Sequence, residues 1–356
     1  TKGPVTLEFE EKFSNWLGRK YSVFCNSGSS ANLLMLYALK EGGYLKNDKV
    51  VVPSVAWATD LSPVIQLGLK PLLCDSNFQD LSADLEHLEK IFIKESPSAL
   101  MFVSASGLVP DMEKVVELCS KYDVKLLEDT CESMGCEYKG KKLGTFGKMS
   151  SFSTFFGHHI STIEGGIIST DDKDLYELLV SIRSHGWDRD LSETQIKLQK
   201  EWDVTEFNSL YTFYYSGFNM RSTELQAYIG LTQIDKLVDW GKKRESNYNQ
   251  YQDLIENNYW KPKSYVDSFT SNFAYPVISP DRDEIVKKLQ ENKVEVRPMI
   301  CGSMGTQPFY VKHYGKLKLP NVSVIDKYGF YVPNHPKLSS DEILFITKII
   351  NEGITE

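Results

Sequence analysis

Apolar positions along the chain follow two rhythms. Up to about residue 185, short unbroken apolar runs (Val50-Val51-Val52, Pro71-Leu72-Leu73-Cys74, Leu100-Met101-Phe102-Val103, Val124-Lys125-Leu126-Leu127, Gly166-Ile167-Ile168) alternate with helix-like stretches such as Leu81 to Ile93 and Met112 to Tyr122. A continuous apolar run suits a strand buried on both faces, and helices between such strands let them lie parallel. The pattern predicts an α/β fold with a mostly parallel central sheet. Asp111 supplies an N-cap acceptor for the helix that starts at Met112. From Thr223 towards Asn257, Leu225, Tyr228, Ile229, Leu231, Ile234, Leu237 and Val238 keep to one helical face, which predicts one long connecting helix. Residues 258–356 read as a smaller α+β unit closing with a helix from Ser340 to about Gly353. The expected domains are therefore 1–257 and 258–356.

A length of 356 residues, 41% hydrophobic and 25% charged, is that of a soluble globular protein with a sizeable core. The net charge of -8 argues against nucleic acid or an anionic membrane surface as partner. No stretch approaches the roughly 18–20 apolar residues of a membrane span. Six cysteines, at 25, 74, 119, 131, 136 and 301, sit largely in apolar segments, as reduced thiols of a cytoplasmic protein would. Cys131 and Cys136 lack zinc-site spacing. The chain starts at Thr1 without a Met, and Thr1 to Thr6 resemble neither a signal peptide nor an anchor; a short preceding piece is expected.

Three segments carry candidate chemistry. Asn26-Ser27-Gly28-Ser29-Ser30-Ala31-Asn32 precedes an apolar helix, and N–H groups and hydroxyls at a helix N-terminus can bind phosphate. A plain serine cap would look the same. Leu126-Leu127-Glu128-Asp129 puts a carboxylate at the C-terminal end of a buried strand, the edge where open α/β sheets bind ligands. That Asp129 could pair with a protonated pyridine nitrogen or cap the next turn, and Glu132 lies within reach of the same edge. In Phe156-Gly157-His158-His159-Ile160 the two histidines are adjacent. In an extended segment they would point to opposite sides, so they are poor partners for one metal ion, and the remaining histidines show no ligand spacing.

In order, GSSAN at 28–32, Pro53-Ser54-Val55-Ala56-Trp57, Glu128-Asp129-Thr130-Cys131-Glu132, Ser153 with His158 and Glu164-Gly165-Gly166, and Gly217-Phe218-Asn219-Met220-Arg221-Ser222-Thr223-Glu224-Leu225-Gln226 follow one another between residues 28 and 226. This series resembles the nucleotide-sugar aminotransferases, the DegT/DnrJ/EryC1/StrS family. The resemblance implies the aspartate aminotransferase-like fold of type I pyridoxal-phosphate enzymes. It implies cofactor phosphate held by Gly28, Ser29, Ser30 and Ser153, Trp57 stacked on the pyridine ring, Asp129 on its nitrogen and Glu132 near its phenolic oxygen. Asn219 is implied to reach the phosphate of a second subunit, hence a homodimer.

His158 stands where an aminotransferase of this family has its lysine, and the nearest lysine, Lys148, lies ten residues upstream. The stretch resembles the lysine-less branch of sugar 3-dehydratases. An amine can bond covalently to the cofactor aldehyde; an imidazole cannot, but it is a good base near neutral pH. The implied activity is removal of the C3 hydroxyl from a nucleotide-linked 4-keto-6-deoxy sugar by non-covalent pyridoxal/pyridoxamine 5′-phosphate, with L-glutamate regenerating the amine form. An iron–sulfur sister branch clusters cysteines after a segment matching Trp187 to Asp190, whereas here Leu191-Ser192 follow; no cluster is expected. Arg297 is a candidate substrate contact. A 4-aminotransferase and a catalytically inactive binding subunit are the alternatives.

Overall fold

The computed structural model describes residues 2–354, so what precedes Thr1 lies outside the described residues. The strands in chain order are β1 (Tyr21–Cys25), β2 (Lys49–Pro53), β3 (Lys70–Cys74), β4 (Ala99–Val103), β5 (Lys125–Asp129), β6 (Glu137–Tyr138) and β7 (Lys141–Lys142). They continue with β8 (Met149–Ser153), β9 (Gly166–Thr170), β10 (Ser268–Phe269), β11 (Ala274–Ile278), β12 (Arg297–Pro298) and β13 (Gly329–Pro333). The first five helices are α1 (Pro4–Leu17), α2 (Gly28–Glu41), α3 (Ala58–Gln66), α4 (Leu85–Glu95) and α5 (Met112–Lys121). No helix is long and apolar enough to cross a membrane among the described residues.

The chain forms two compact units, one of Thr1–Lys46 with Lys148–Asp235 and one of Asn47–Gly147 with Lys236–Glu356. In the first, β9 pairs antiparallel with both β1 and β8. Phe9 and Phe13 of α1 are buried against Phe24 and Phe152, with ring centroids 4.8 and 5.0 Å apart, edge to face. Burial of such a side chain contributes about 1.5–3 kcal/mol. The Phe24 backbone on β1 is closed by a buried ion pair. Glu10 Oε1 accepts from Phe24 N–H at 2.7 Å and from Arg183 Nη1 at 2.8 Å, and Nη1 also donates to the Phe24 carbonyl at 2.6 Å.

In the second unit β5, β4, β2 and β3 lie side by side and parallel, as the apolar runs predict. Phe92, Phe102, Met112, Val115 and Leu126 are among the residues of the core that α4 and α5 make with these strands. Residues 258–356 carry their own antiparallel sheet, β11-β13-β12, and the boundary at 257 remains a proposal about that segment.

Two expected helices differ. The helix expected from Leu81 starts at Leu85, because Leu81 takes a left-handed φ of 61° and Asp84 caps the His87 N–H. The long helix from Thr223 is two helices, Glu224–Ile234 and Leu237–Leu254. Thr232 Oγ1 and Gln233 Nε2 both donate to the Ile229 carbonyl, at 2.7 and 3.0 Å. Side chains competing for a last-turn carbonyl loosen a helix end.

Candidate active site

In the first unit the expected anion site is built on the start of α2. Ser27 is the N-cap, its Oγ accepting the Ser30 N–H at 3.0 Å. The cap and the anion site are thus compatible: Ser27 satisfies one first-turn N–H, while Gly28 and Ser29 are first-turn positions that a helix leaves without intrahelical acceptors. Ser29 is exposed. Gly166 explains why Ser153 belongs here. It pairs with Cys25 on one side and Ser153 on the other, and a Cβ on it would lie 2.1 Å from the Ser27 carbonyl oxygen. Only glycine lets the two strand ends meet the helix start so closely.

His158 lies in the connection between β8 and β9, which the structure shows as a bent loop rather than the extended segment expected. Its N–H closes a turn on the Phe155 carbonyl at 2.9 Å. The two histidines nevertheless differ as alternation suggested: His158 is partly exposed, and His159 is buried. The loop is held at its base by Thr154 and Thr162, whose hydroxyls are 2.5 Å apart. Gln226 donates to the Glu164 carbonyl at 2.6 Å, and Gln233 both accepts from Ser161 N–H and donates to its carbonyl, at 3.0 and 2.6 Å. Gln233→Ala is expected to speed amide exchange across 155–163 by about tenfold, at a stability cost of about 1–2 kcal/mol. Unchanged exchange in that loop would show that the clamp is not what orders it.

Lys148 is committed elsewhere: it pairs with Asp172 at 2.6 Å, over the Tyr44 ring. Asn219 is exposed on a segment that bridges to Ser184, and its Oδ1 accepts from Arg221 Nε at 3.1 Å. Next to it, Arg221 bridges to Cys25, directly before the α2 turn.

In the second unit the C-terminal strand edge gathers the other expected residues. Trp57 precedes α3 and is 56% exposed, unusual for so large an apolar ring. Asp129 ends β5, buried, with Oδ1 accepting from Cys131 N–H at 2.9 Å. Between them sits a residue the sequence did not single out. Asp60 is fully buried, accepts from Trp57 N–H at 2.9 Å and is hydrogen-bonded to the Asp129 side chain. Burial first, and Asp129 second, push its carboxyl well above the ordinary range. As an acid in a helix's first turn it looks like a routine cap, so sequence offers no signal for it.

Glu132 Oε2 accepts from Ser106 N–H at 2.6 Å. Burial raises its carboxyl from 4.5 to about 7, against the pull of that N–H. Tyr331, paired across strands with Arg297, feels Glu132 and bonds to Arg297. Arg297 is exposed and also pairs with Glu295 at 2.5 Å. Because Glu132 binds a proton in the fold that the unfolded chain releases, stability falls as pH rises from about 4.5 to 7. Glu132→Gln cannot ionise, so its stability relative to the parent is expected to climb across that window and then level, read by urea unfolding at stepped pH. A constant difference would place the Glu132 proton elsewhere.

The donor set fits a pyridoxal-type cofactor half by half. Helix-start N–H groups and the Ser29, Ser30 and Ser153 hydroxyls suit a phosphate dianion, and an exposed indole tied through Asp60 to a buried acid suits a nitrogen heterocycle. Among the described residues no group of three or more His, Cys, Asp and Glu could hold a metal ion.

The model of the DegT/DnrJ/EryC1/StrS aminotransferase family matches residues 1–351. The GDP-4-keto-6-deoxy-D-mannose 3-dehydratase of Yersinia pseudotuberculosis is 35% identical, over 99% of this chain and 92% of the relative. Among solved structures, the Escherichia coli GDP-4-keto-6-deoxy-D-mannose-3-dehydratase with bound hydrated PLP superposes with a TM-score of 0.88. It is 31% identical over 98% of this chain and 92% of that one. A GDP-4-keto-6-deoxymannose-3-dehydratase with a trapped PLP-glutamate geminal diamine gives 0.88 and 31%, over 98% and 93%.

Proposed function

This chain belongs to the DegT/DnrJ/EryC1/StrS aminotransferase family, and on that premise we propose that it is a 3-dehydratase of nucleotide-linked 4-keto-6-deoxy sugars. Pyridoxamine 5′-phosphate is its working cofactor, and L-glutamate restores the amine. The relatives' substrate makes the GDP-linked sugar the first to test. The observation that carries the reading is the β8–β9 loop. It presents a partly exposed imidazole, the next lysine upstream is salt-bridged to Asp172, and no lysine occurs from 149 to 172.

The start of α2, with Gly28, Ser29, Ser30 and Ser153, holds the phosphate. Trp57 would cover the ring, Asp129 would pair with its nitrogen and Glu132 would lie near its phenolic oxygen. When bound, the cofactor would supply an electron sink for the sugar. His158 would act as the base of the reaction and then, protonated, as the acid that meets the oxygen departing from sugar C3. Imidazole suits both steps because its ordinary pKa lies near neutrality. Arg297, exposed at the end of the Glu132–Tyr331 series, would meet the substrate. Asn219 would meet the phosphate of a second copy, so the working form in this reading is a homodimer, and the cell compartment is the cytoplasm.

The test is incubation with a panel of 4-keto nucleotide sugars and glutamate, read by mass. A 3-deoxy-4-keto product with release of 2-oxoglutarate is expected. A 4-amino sugar would make the protein an aminotransferase, and no turnover with any sugar would make it a binding subunit.

A further inference from the structure

The reading above leaves one buried acid unused. Asp60 is the third residue of α3 and has no exposed surface. One of its oxygens, Oδ2, accepts the Trp57 N–H, and its side chain also meets that of Asp129. The groups that bear on it are themselves acidic or neutral. Asp129 and Glu132 act on it directly. The thiols of Cys131 and Cys301 lie close enough to feel its charge, and burial keeps both protonated. Cys301 Sγ donates to the Ala56 carbonyl at 2.6 Å, one residue before Trp57.

Two carboxylates that touch away from water cannot both be ionised, and neither can donate to the other unless one carries a proton. We infer that Asp60 holds that proton and donates it to Asp129, and is thereby a positioning residue for the cofactor ring. Its acceptor oxygen fixes the start of Trp57, and its O–H orients Asp129 and leaves the negative charge there. One side chain therefore sets both groups assigned to the ring, a role that rests on the proposed cofactor. Asp60 itself touches neither cofactor nor sugar in this assignment. It acts through its two neighbours, as supporting partners of active-site ligands do.

The distinguishing variants are Asp60→Asn and Asp60→Ala. An asparagine reproduces a protonated Asp60, since its carbonyl accepts from Trp57 N–H and its amide donates to Asp129. Alanine removes both bonds. With PLP added to the cofactor-free protein, Asp60→Asn is expected to bind within about threefold of the parent, with an unchanged absorbance spectrum between pH 6 and 9. Asp60→Ala is expected to bind about tenfold or more weakly, the usual effect of losing a hydrogen bond to a charged group.

A second measurement needs no cofactor. A carboxyl whose pKa is raised by folding costs stability progressively as pH climbs above its ordinary value of about 3.9. The urea midpoint of Asp60→Asn should therefore rise relative to the parent between pH 5 and 8. If that gap stays constant, Asp60 is ionised in the fold and the shared proton is refuted. If Asp60→Asn weakens PLP binding as much as Asp60→Ala, or Asp60→Ala does not weaken it, the positioning role is refuted. A parent protein that fails to bind PLP overturns the proposed function, and the positioning role with it, while the pH gap still decides where the proton sits.

Discussion

His158→Asn should lower the rate of C3 dehydration by about 10² to 10⁴, the usual worth of a general acid–base group, with fold and cofactor binding retained. The loop around His158 is closed by bonds that do not use the imidazole, whose ring lies edge-on to Phe155. Its turn is closed by the His158 backbone N–H on the Phe155 carbonyl, and its ends by Thr154, Thr162, Gln226 and Gln233. Asparagine leaves all of these in place. His159→Asn is the contrasting variant: that ring is 4% exposed, so its loss should appear as lower stability rather than a lost chemical step. His158→Lys adds an amine. Borohydride should then trap the cofactor on this variant and not on the parent, and 3-dehydration should be lost. Near-normal turnover of His158→Asn beside a dead His159→Asn would mean that the chemistry belongs to the other histidine.

Arg183→Leu should destabilise the protein by about 3–5 kcal/mol, the cost of stranding one member of a buried ion pair. The Arg183 and Glu10 side chains are 1% and 5% exposed, so water cannot replace the missing partner. Both also close the backbone of Phe24. Pairing Arg183→Leu with Glu10→Leu should recover part of the loss by removing the unpaired carboxylate. Full recovery is not expected, because Phe24 N–H and its carbonyl lose these partners. Urea unfolding of the two single variants and the double variant measures each step. A cost below about 1 kcal/mol for Arg183→Leu would mean that the pair is solvated in solution.

How much of this was legible before the coordinates depends on what each residue does. Strands β2 to β5 were readable because valine, leucine, methionine and phenylalanine fill most of their positions in unbroken runs. Strand β1 (Tyr-Ser-Val-Phe-Cys) and strand β8 (Met-Ser-Ser-Phe-Ser) were not. Their inner serines hydrogen-bond across the core, Ser22 to Ser169 at 2.8 Å and Ser151 to Asn32 at 2.6 Å, and a polar residue satisfied in this way mimics a surface position in the sequence. For the candidate site, the motifs placed Ser29, Ser153, Trp57, Asp129 and His158 because each belongs to a contiguous signature. Asp60 meets Asp129, and Ser106 and Tyr331 bear on Glu132, each from 26 or more residues away, as with the Ser106 N–H on Glu132, and no local pattern reports that. The split of the long connecting helix was hidden for a different reason: its apolar stripe runs through the break.

The helix Glu224–Ile234 ties together two parts of the chain far apart in sequence. Its first residue receives the N–H groups of Gly3 and Thr6 at 2.8 and 2.9 Å, closing the start of α1. Its third and tenth residues, Gln226 and Gln233, hold the loop that carries His158. A change at Glu224 therefore acts at a distance in two directions: it releases the first turn of α1 and disturbs the helix whose later side chains hold the loop of His158.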